Sequence, residues 1–339
     1  MNPISYISNK INRVKKDKYK ILTFSTHEAY QEAMAKTGHH FYLLETEGCK
    51  QWNEDFRKLP SNCTIINNIE QIPYDIDFLL SQERYSQLQK MSGLSNHIRL
   101  PLIHLDHVEP VKNESFPALK ALKADFNVFI TEHNKDSWEN TDGVVISHGI
   151  NTDTFSGWIP NTSKTVVYIV NYLKKRDFFC GWNEWEYIKN KVNSIDPTIK
   201  FKLIGDNPGI SKTISDPKEL ALELKKCACY INTSKFSPIP MSLLEAMSCG
   251  MPIVSTKHQQ VAKLLNESNS ISSNDLDQLA DGVVNVCNNN KLYKNIGINA
   301  RNEILNKFSM ESFMNSWNDI FDKAYNKRLG KLNEIFYNK

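Results

Sequence analysis

Residues 237–256 read Ser-Pro-Ile-Pro-Met-Ser-Leu-Leu-Glu-Ala-Met-Ser-Cys-Gly-Met-Pro-Ile-Val-Ser-Thr. The run has the chemistry to hold a phosphorylated sugar. It predicts a polar loop, a short helix, a glycine stop and a buried strand. Pro240 suits a helix start, because proline has no amide hydrogen to leave unpaired there. Gly250 can take the left-handed conformation that ends a helix. Free amides and the helix dipole at such an N-terminus favour an anion. Glu245 lies about a turn into the helix. It cannot bind phosphate, but it can accept hydrogen bonds from sugar hydroxyls.

The elements around this run alternate. Strands are predicted at 21–24, 41–44, 63–66, 78–80, 100–104, 128–130 and 144–146, then at 165–170, 201–204, 229–232 and 252–255. Helical stretches fall between them, among them residues 29–37. Such alternation argues parallel sheets covered by helices on both faces, so the fold class is α/β. A chain of 339 residues suits two domains of about 150 residues each. The break falls near 157–163, where Gly157, Pro160, Asn161 and Thr162 cluster. The last long helix, about 310–325, should close the second domain.

This constellation resembles the nucleotide-sugar signature of glycosyltransferase family 4, whose members are retaining enzymes of the GT-B fold. The family pattern is a glutamate, seven residues, a second glutamate, then Ala-Met-x-x-Gly-x-Pro-Val-Val. Glu245 matches the second glutamate, and Ser237 stands where the first would be. Other segments resemble the family in order. They are Ile146-Ser-His-Gly-Ile-Asn-Thr-Asp-Thr-Phe155 at the end of the first domain, Leu203-Ile-Gly205-Asp206-Asn-Pro208, Ala300-Arg301 with Phe308-Ser309, and Pro101-Leu-Ile-His-Leu-Asp-His107.

The resemblance implies two Rossmann-like domains with parallel sheets facing a central cleft. Residues 1–158 would bind the acceptor, and 159–326 the nucleotide sugar. Residues 327–339 would cross back onto the first domain. Glu245 would hold the ribose. Ser237, Ile239, Pro240, Met241 and Ser242 form the loop and first turn beside the diphosphate, and Gly205 and Asp206 another donor-side edge. The family's Gly-Arg and Lys-Gly cations are replaced by Lys174-Lys175-Arg176. An arginine fork suits phosphate oxygens, so Arg176 is the first choice and Lys175 the second. The glycine-rich first loop of the family is replaced by Ser25-Thr26-His27-Glu28, where Thr26 and His27 would bind the acceptor. His107 takes the place of the family histidine at the reaction centre. The resemblance also implies chemistry without metal or cofactor, the nucleotide-diphosphate sugar being a co-substrate. Asp75-Ile-Asp77 reads as strand-edge punctuation rather than a metal pair.

Composition narrows the partners. Seven scattered cysteines suggest free thiols in a reducing cytoplasm. No apolar run approaches the ~18 residues of a membrane span. A formal net charge of +3 is no overall nucleic-acid signature. Basic residues nevertheless cluster from Lys10 to Lys20, suited to an anionic membrane surface or a phosphate backbone. Trp138, Trp158, Trp182 and Trp185 could stack on bases or sugars, or pack in the core. The acceptor is therefore left open between a glycan, a glycolipid and a modified nucleobase in DNA. A second reading also stands: a degenerate GT-B protein that binds nucleotide sugar without catalysis.

Overall fold

A computed structural model describes residues 16–140 and 142–337, the last nine of these by backbone alone. The apolar runs of the first half pair into one sheet. They are β1 (Lys20–Phe24), β2 (His40–Leu44), β3 (Cys63–Ile66), β4 (Phe78–Ser81), β5 (Leu102–Asp106), β6 (Phe126–Phe129) and β7 (Val144–Val145). The strand order is β3-β2-β1-β4-β5-β6-β7, and every pairing is parallel. The second half builds another parallel sheet from β8 (Thr165–Ile169), β9 (Lys200–Ile204), β10 (Cys229–Asn232), β11 (Ile253–Ser255) and β12 (Ile271–Ser272), in the order β12-β11-β10-β8-β9. All strands but β12 fall within two residues of their predicted places.

The strands β4, β5, β10 and β11 are buried at every residue. Parallel strands covered on both faces carry just such continuous apolar runs. In each sheet the strand order reverses once, between β1 and β4 and between β8 and β10. Loops leaving the carboxyl ends of the strands diverge there and leave a crevice, the usual ligand position in such sheets.

The two halves join at a double crossing. Ile150 pairs with Ser309 in a parallel bridge, and its amide donates to the Phe308 carbonyl at 2.9 Å. Beyond it the chain is already seated on the second half. Trp158 Nε1 donates to the Cys227 carbonyl at 2.8 Å, and the Phe155 carbonyl accepts from Ser248 Oγ at 2.7 Å and from Arg301 Nη1 at 3.0 Å.

The final helix, Met310–Tyr337, corrects an expectation. It does not close the second domain and then cross back after residue 326; it packs on the first sheet from Phe313 onward. Phe313, Trp317, Ile320, Phe321 and Ala324 are buried. Their spacing of three and four residues makes one apolar face. Trp317 Nε1 donates to the Tyr30 hydroxyl at 3.1 Å, and Phe321 stacks on Phe78 at 5.5 Å. Asp77, which is 1 % exposed, accepts from the Lys20 amide at 2.8 Å, Lys16 Nζ at 2.5 Å and Arg328 Nη1 at 2.5 Å. Its role is to tie strand, N-terminal arm and final helix together.

The basic arm is partly neutralised by these contacts. Lys16 pairs with Asp77 and Lys20 with Asp75, while Lys18 is exposed. Lys10, Arg13 and Lys15 lie outside the described residues. Trp138, Trp158 and Trp185 are buried, and Trp182 stacks on Trp185 at 5.4 Å, so the tryptophans build core. Among the described residues all seven cysteines are free, no helix is long and apolar enough to cross a membrane, and no three His, Cys, Asp or Glu side chains gather as a metal site.

Candidate functional site

The second-half wall of the crevice follows β10. Its loop is pinned where the amides of Lys235 and Phe236 both donate to the Phe179 carbonyl, at 2.9 and 3.2 Å. The helix runs Met241–Cys249, with extended Pro240 before it. Proline therefore caps the helix rather than opening it. No side chain caps this end, so the amides of Met241, Ser242 and Leu243 have no intrahelical partner. The Ser242 hydroxyl is engaged within the protein. It donates to the Ile169 carbonyl at 2.9 Å and lies 2.9 Å from the Tyr230 hydroxyl. The Ile239 carbonyl is likewise engaged by His148 Nε2 at 3.3 Å. Ser237 is half-buried on the loop. Gly250 ends the helix with φ of 83°, as its sequence position predicts.

Glu245 is 5 % exposed and faces the first half. Its Oε1 lies 3.3 Å from Arg57 Nη2, and Arg57 Nε reaches Glu32 Oε2 at 3.0 Å. Arg57 is fixed by its own carbonyl, which accepts from Trp52 Nε1 at 2.8 Å. Burial pushes the Glu245 carboxyl up to about 7, against the pull of Arg57. At neutral pH it is thus divided between acid and carboxylate. A recess opens beside the pair, lined by Ala29, Glu32, Arg57, Ile150, Met241 and Glu245. The residues before Arg57 form a polar stretch without periodicity, and nothing in the sequence singles it out.

Gly205 and Asp206 support the cationic loop of residues 170–176. Gly205 has φ of 125°, and a Cβ there would lie 2.2 Å from the Val170 carbonyl oxygen, so only glycine fits. The Asp206 carbonyl accepts from the Tyr172 amide at 2.8 Å, and its amide donates to Asn171 Oδ1 at 2.9 Å. Asn207, which the sequence did not single out, accepts from the Leu173 amide at 2.8 Å and donates to the Val170 carbonyl at 2.9 Å. Lys175 and Arg176 are exposed at the end of this loop, with the Arg176 guanidinium 6.0 Å from the Phe179 ring.

The first-half wall carries Thr26, His27 and His107. His27 Nδ1 caps the helix Glu28–Ala35, accepting from the Tyr30 amide at 3.3 Å. This assigns the ring proton to Nε2. The His27 and His107 rings stack 5.5 Å apart, and Tyr30 meets His107 edge-on at 4.7 Å. Thr26 Oγ1 accepts from Gln87 Nε2 at 2.8 Å. Lys50 Nζ binds the Thr26 carbonyl at 2.8 Å and Glu28 at 2.6 Å. His27 is open to solvent yet surrounded by protein on both sides of the crevice. That surrounding lowers its pKa, aided by the cations Lys50, Arg57 and, from across the crevice, Arg176. Burial holds His107 well below the usual histidine value and takes His148 to about 3. These imidazoles are neutral at physiological pH. His107 can exchange hydrogen bonds with a hydroxyl but holds no acidic proton to give. His104, on β5, is fully buried against Ser81 and Asp106 and serves the core.

Comparison with known proteins agrees with this architecture. Residues 179–303 match the family model of glycosyl transferases group 1. The poly(ribitol-phosphate) α-N-acetylglucosaminyltransferase of Staphylococcus aureus is 25% identical over 146 residues, which are 38% of this chain and 30% of that protein. This chain thus spans about a third of that relative's length. The N-acetyl-α-D-glucosaminyl L-malate synthase of Bacillus anthracis is 19% identical over 366 aligned positions, covering 88% of this chain and 93% of that one. Among solved structures, Anabaena HepE in complex with UDP and glucose superposes with a TM-score of 0.71 at 12% identity, over 90% of this chain and 99% of that chain. Residues 179–303 are thus similar to a glycosyl transferases group 1 domain, and the chain as a whole has a GT-B fold.

Proposed function

We propose that this protein moves a sugar from a nucleoside-diphosphate sugar to an acceptor hydroxyl, with retention of anomeric configuration and without a metal. The observation that carries the reading is Glu245. It is a buried carboxylate a turn into a helix whose first amides are free, and it faces the opposite domain. Ribose hydroxyls suit that carboxylate, and a diphosphate suits the amides. Arg176 and Lys175 stand exposed on the neighbouring loop to take up charge as the diphosphate departs. Donors set where charge develops stabilise the transition state more than the ground state. No carboxylate stands out as a nucleophile, so the acceptor attacks on the face the diphosphate leaves. The leaving phosphate then takes the acceptor's proton. Neutral His107 and His27 orient hydroxyls near the reaction centre.

The acceptor is a glycan or glycolipid hydroxyl in this reading. A DNA base is less well served, because the tryptophans that might stack on it are spent in the core and part of the basic arm is paired. The two relatives described above are named for N-acetylglucosaminyl groups, which makes UDP-N-acetylglucosamine the first donor to try.

Incubation with a panel of nucleotide sugars, with and without acceptors, tests the proposal by release of free nucleoside diphosphate. Release that is abolished in Glu245→Ala, and that persists in EDTA, is the expected result. Binding without release under any condition would favour the non-catalytic GT-B reading. Strict dependence on Mg²⁺ or Mn²⁺ would overturn the metal-free mechanism.

A further inference from the structure

The loop after β11 leads through Lys257 and His258 into the helix Gln259–Leu264. Gln259 has φ of 50°, in the left-handed region that favours glycine. Strain of this kind persists where surrounding structure enforces it, and it gathers at ligand sites. Gln259 and Gln260 each also bury one end of the side-chain amide, Oε1, without a hydrogen-bond partner. Two adjacent orphaned amides are unusual, because buried polar atoms are nearly always paired.

Their place in the fold gives them a role. β10 and β11 are neighbouring parallel strands, so the loops leaving their carboxyl ends lie side by side. Thr256 joins the two loops. Its amide donates to the Asn232 carbonyl at 3.0 Å, and its hydroxyl donates to the Ser234 carbonyl at 2.9 Å. The charges of Glu184 and Lys235 both act on His258, which places this loop beside the segment that carries Ser237. On its other side the helix Gln259–Leu264 abuts the helix Glu132–Ser137 of the first domain. The amides therefore lie at the domain junction, one strand over from the loop that carries Ser237.

We propose that Gln259 and Gln260 bind hydroxyl groups of the transferred sugar, beside the loop that carries Ser237. The inference rests on the transferase reading above. A carboxamide both donates and accepts, as a hydroxyl does, and both residues are only half-buried, so a turn of either side chain toward the crevice would pair its orphaned end with a sugar hydroxyl. Two neutral amides suit a neutral hexose or an N-acetylhexosamine and give no countercharge to a uronic acid or a free amino sugar.

Two variants test this, Gln259→Gly and Gln260→Ala. Calorimetry would use UDP and GDP, each alone and as its glucose and N-acetylhexosamine conjugates. Glycine is at ease at φ of 50°, so Gln259→Gly should melt at or above the wild-type temperature. Each variant should bind the sugar conjugate about tenfold more weakly, the loss of roughly one well-made hydrogen bond, with affinity for the bare diphosphate unchanged. Equal weakening of bare and conjugated nucleotide, or no weakening of either, would overturn the inference and leave the transferase reading standing. A wild-type protein that binds no nucleotide at all would sink the transferase reading, and this inference with it.

Discussion

Replacing Arg57 by methionine tests how the two domains share Glu245. Methionine keeps much of the stem volume and removes only the cation. In the native protein the Glu245 carboxyl titrates at about 7, raised by burial and restrained by Arg57 at 3.3 Å. An opposite charge at such range lowers a carboxyl by about one to three pH units. Its removal should raise Glu245 by a similar amount, leaving it almost wholly protonated at pH 7. A hydroxyl bonded to a carboxylate contributes about 1.5–3 kcal/mol, and one bonded to a neutral acceptor about 0.5–1.5 kcal/mol. With only about half of wild-type Glu245 ionised at pH 7, nucleotide-sugar affinity should therefore fall about three- to sixfold there. The direction with pH is also fixed. Glu245 accepts best when ionised, so wild-type affinity should rise as pH increases through about 7, and that rise should move to higher pH in Arg57→Met. Folding shows the opposite sign. A carboxyl whose pKa is raised above its usual 4.5 contributes stability that is present below about 4.5 and lost as pH climbs through about 7. The assay is calorimetry from pH 5.5 to 9 with an intact nucleotide sugar, whose diphosphate has no group titrating near neutrality. Tighter binding in Arg57→Met at pH 7 would refute the reasoning, because Arg57 would then be competing with the ribose. An unchanged pH profile would refute it too.

Three further outcomes are expected. Gly205→Ala should cost more than about 1 kcal/mol, because its φ and the nearby Val170 carbonyl both resist a side chain; a variant that melts with the wild type would show that the 170–176 loop is not anchored there. Trp317→Ala should remove about 3–5 kcal/mol of stability, read by chemical denaturation; a small loss would mean that the final helix contributes little to the first domain. Ser237→Glu should alter donor preference in turnover assays across several nucleotide sugars, whereas equal loss on every donor would remove Ser237 from sugar choice.

The strands were legible because parallel strands buried on both faces leave uninterrupted apolar runs, as at Phe78–Leu80 and Cys229–Asn232. β12 was not, since Ile271 and Ser272 form too short a run to stand out from a loop. The helix with Glu245 was visible through its glycine stop and its resemblance to a family pattern. Its partner Arg57 was hidden, because a contact across 188 positions leaves no local trace. The engagement of the Ser242 hydroxyl was hidden for a related reason. The carbonyl that it meets comes from the end of β8, 73 positions away in the sequence. The closing helix was placed on the wrong domain, because its apolar spacing says that one face is buried and not against what.

The docking of that helix bears on the order in which the molecule can be made. Tyr30 and Trp317, which share a hydrogen bond, are separated by 287 positions. Phe78 must likewise wait for Phe321. During synthesis the first sheet emerges long before the residues that cover this part of it, while β8 to β12 and their helices can pair meanwhile. Contacts so distant in sequence form late and slowly, and an uncovered apolar face is prone to misassociation in the interval. The first domain is begun first on the ribosome and finished last, so a fragment ending near residue 158 would lack a wall of its own core.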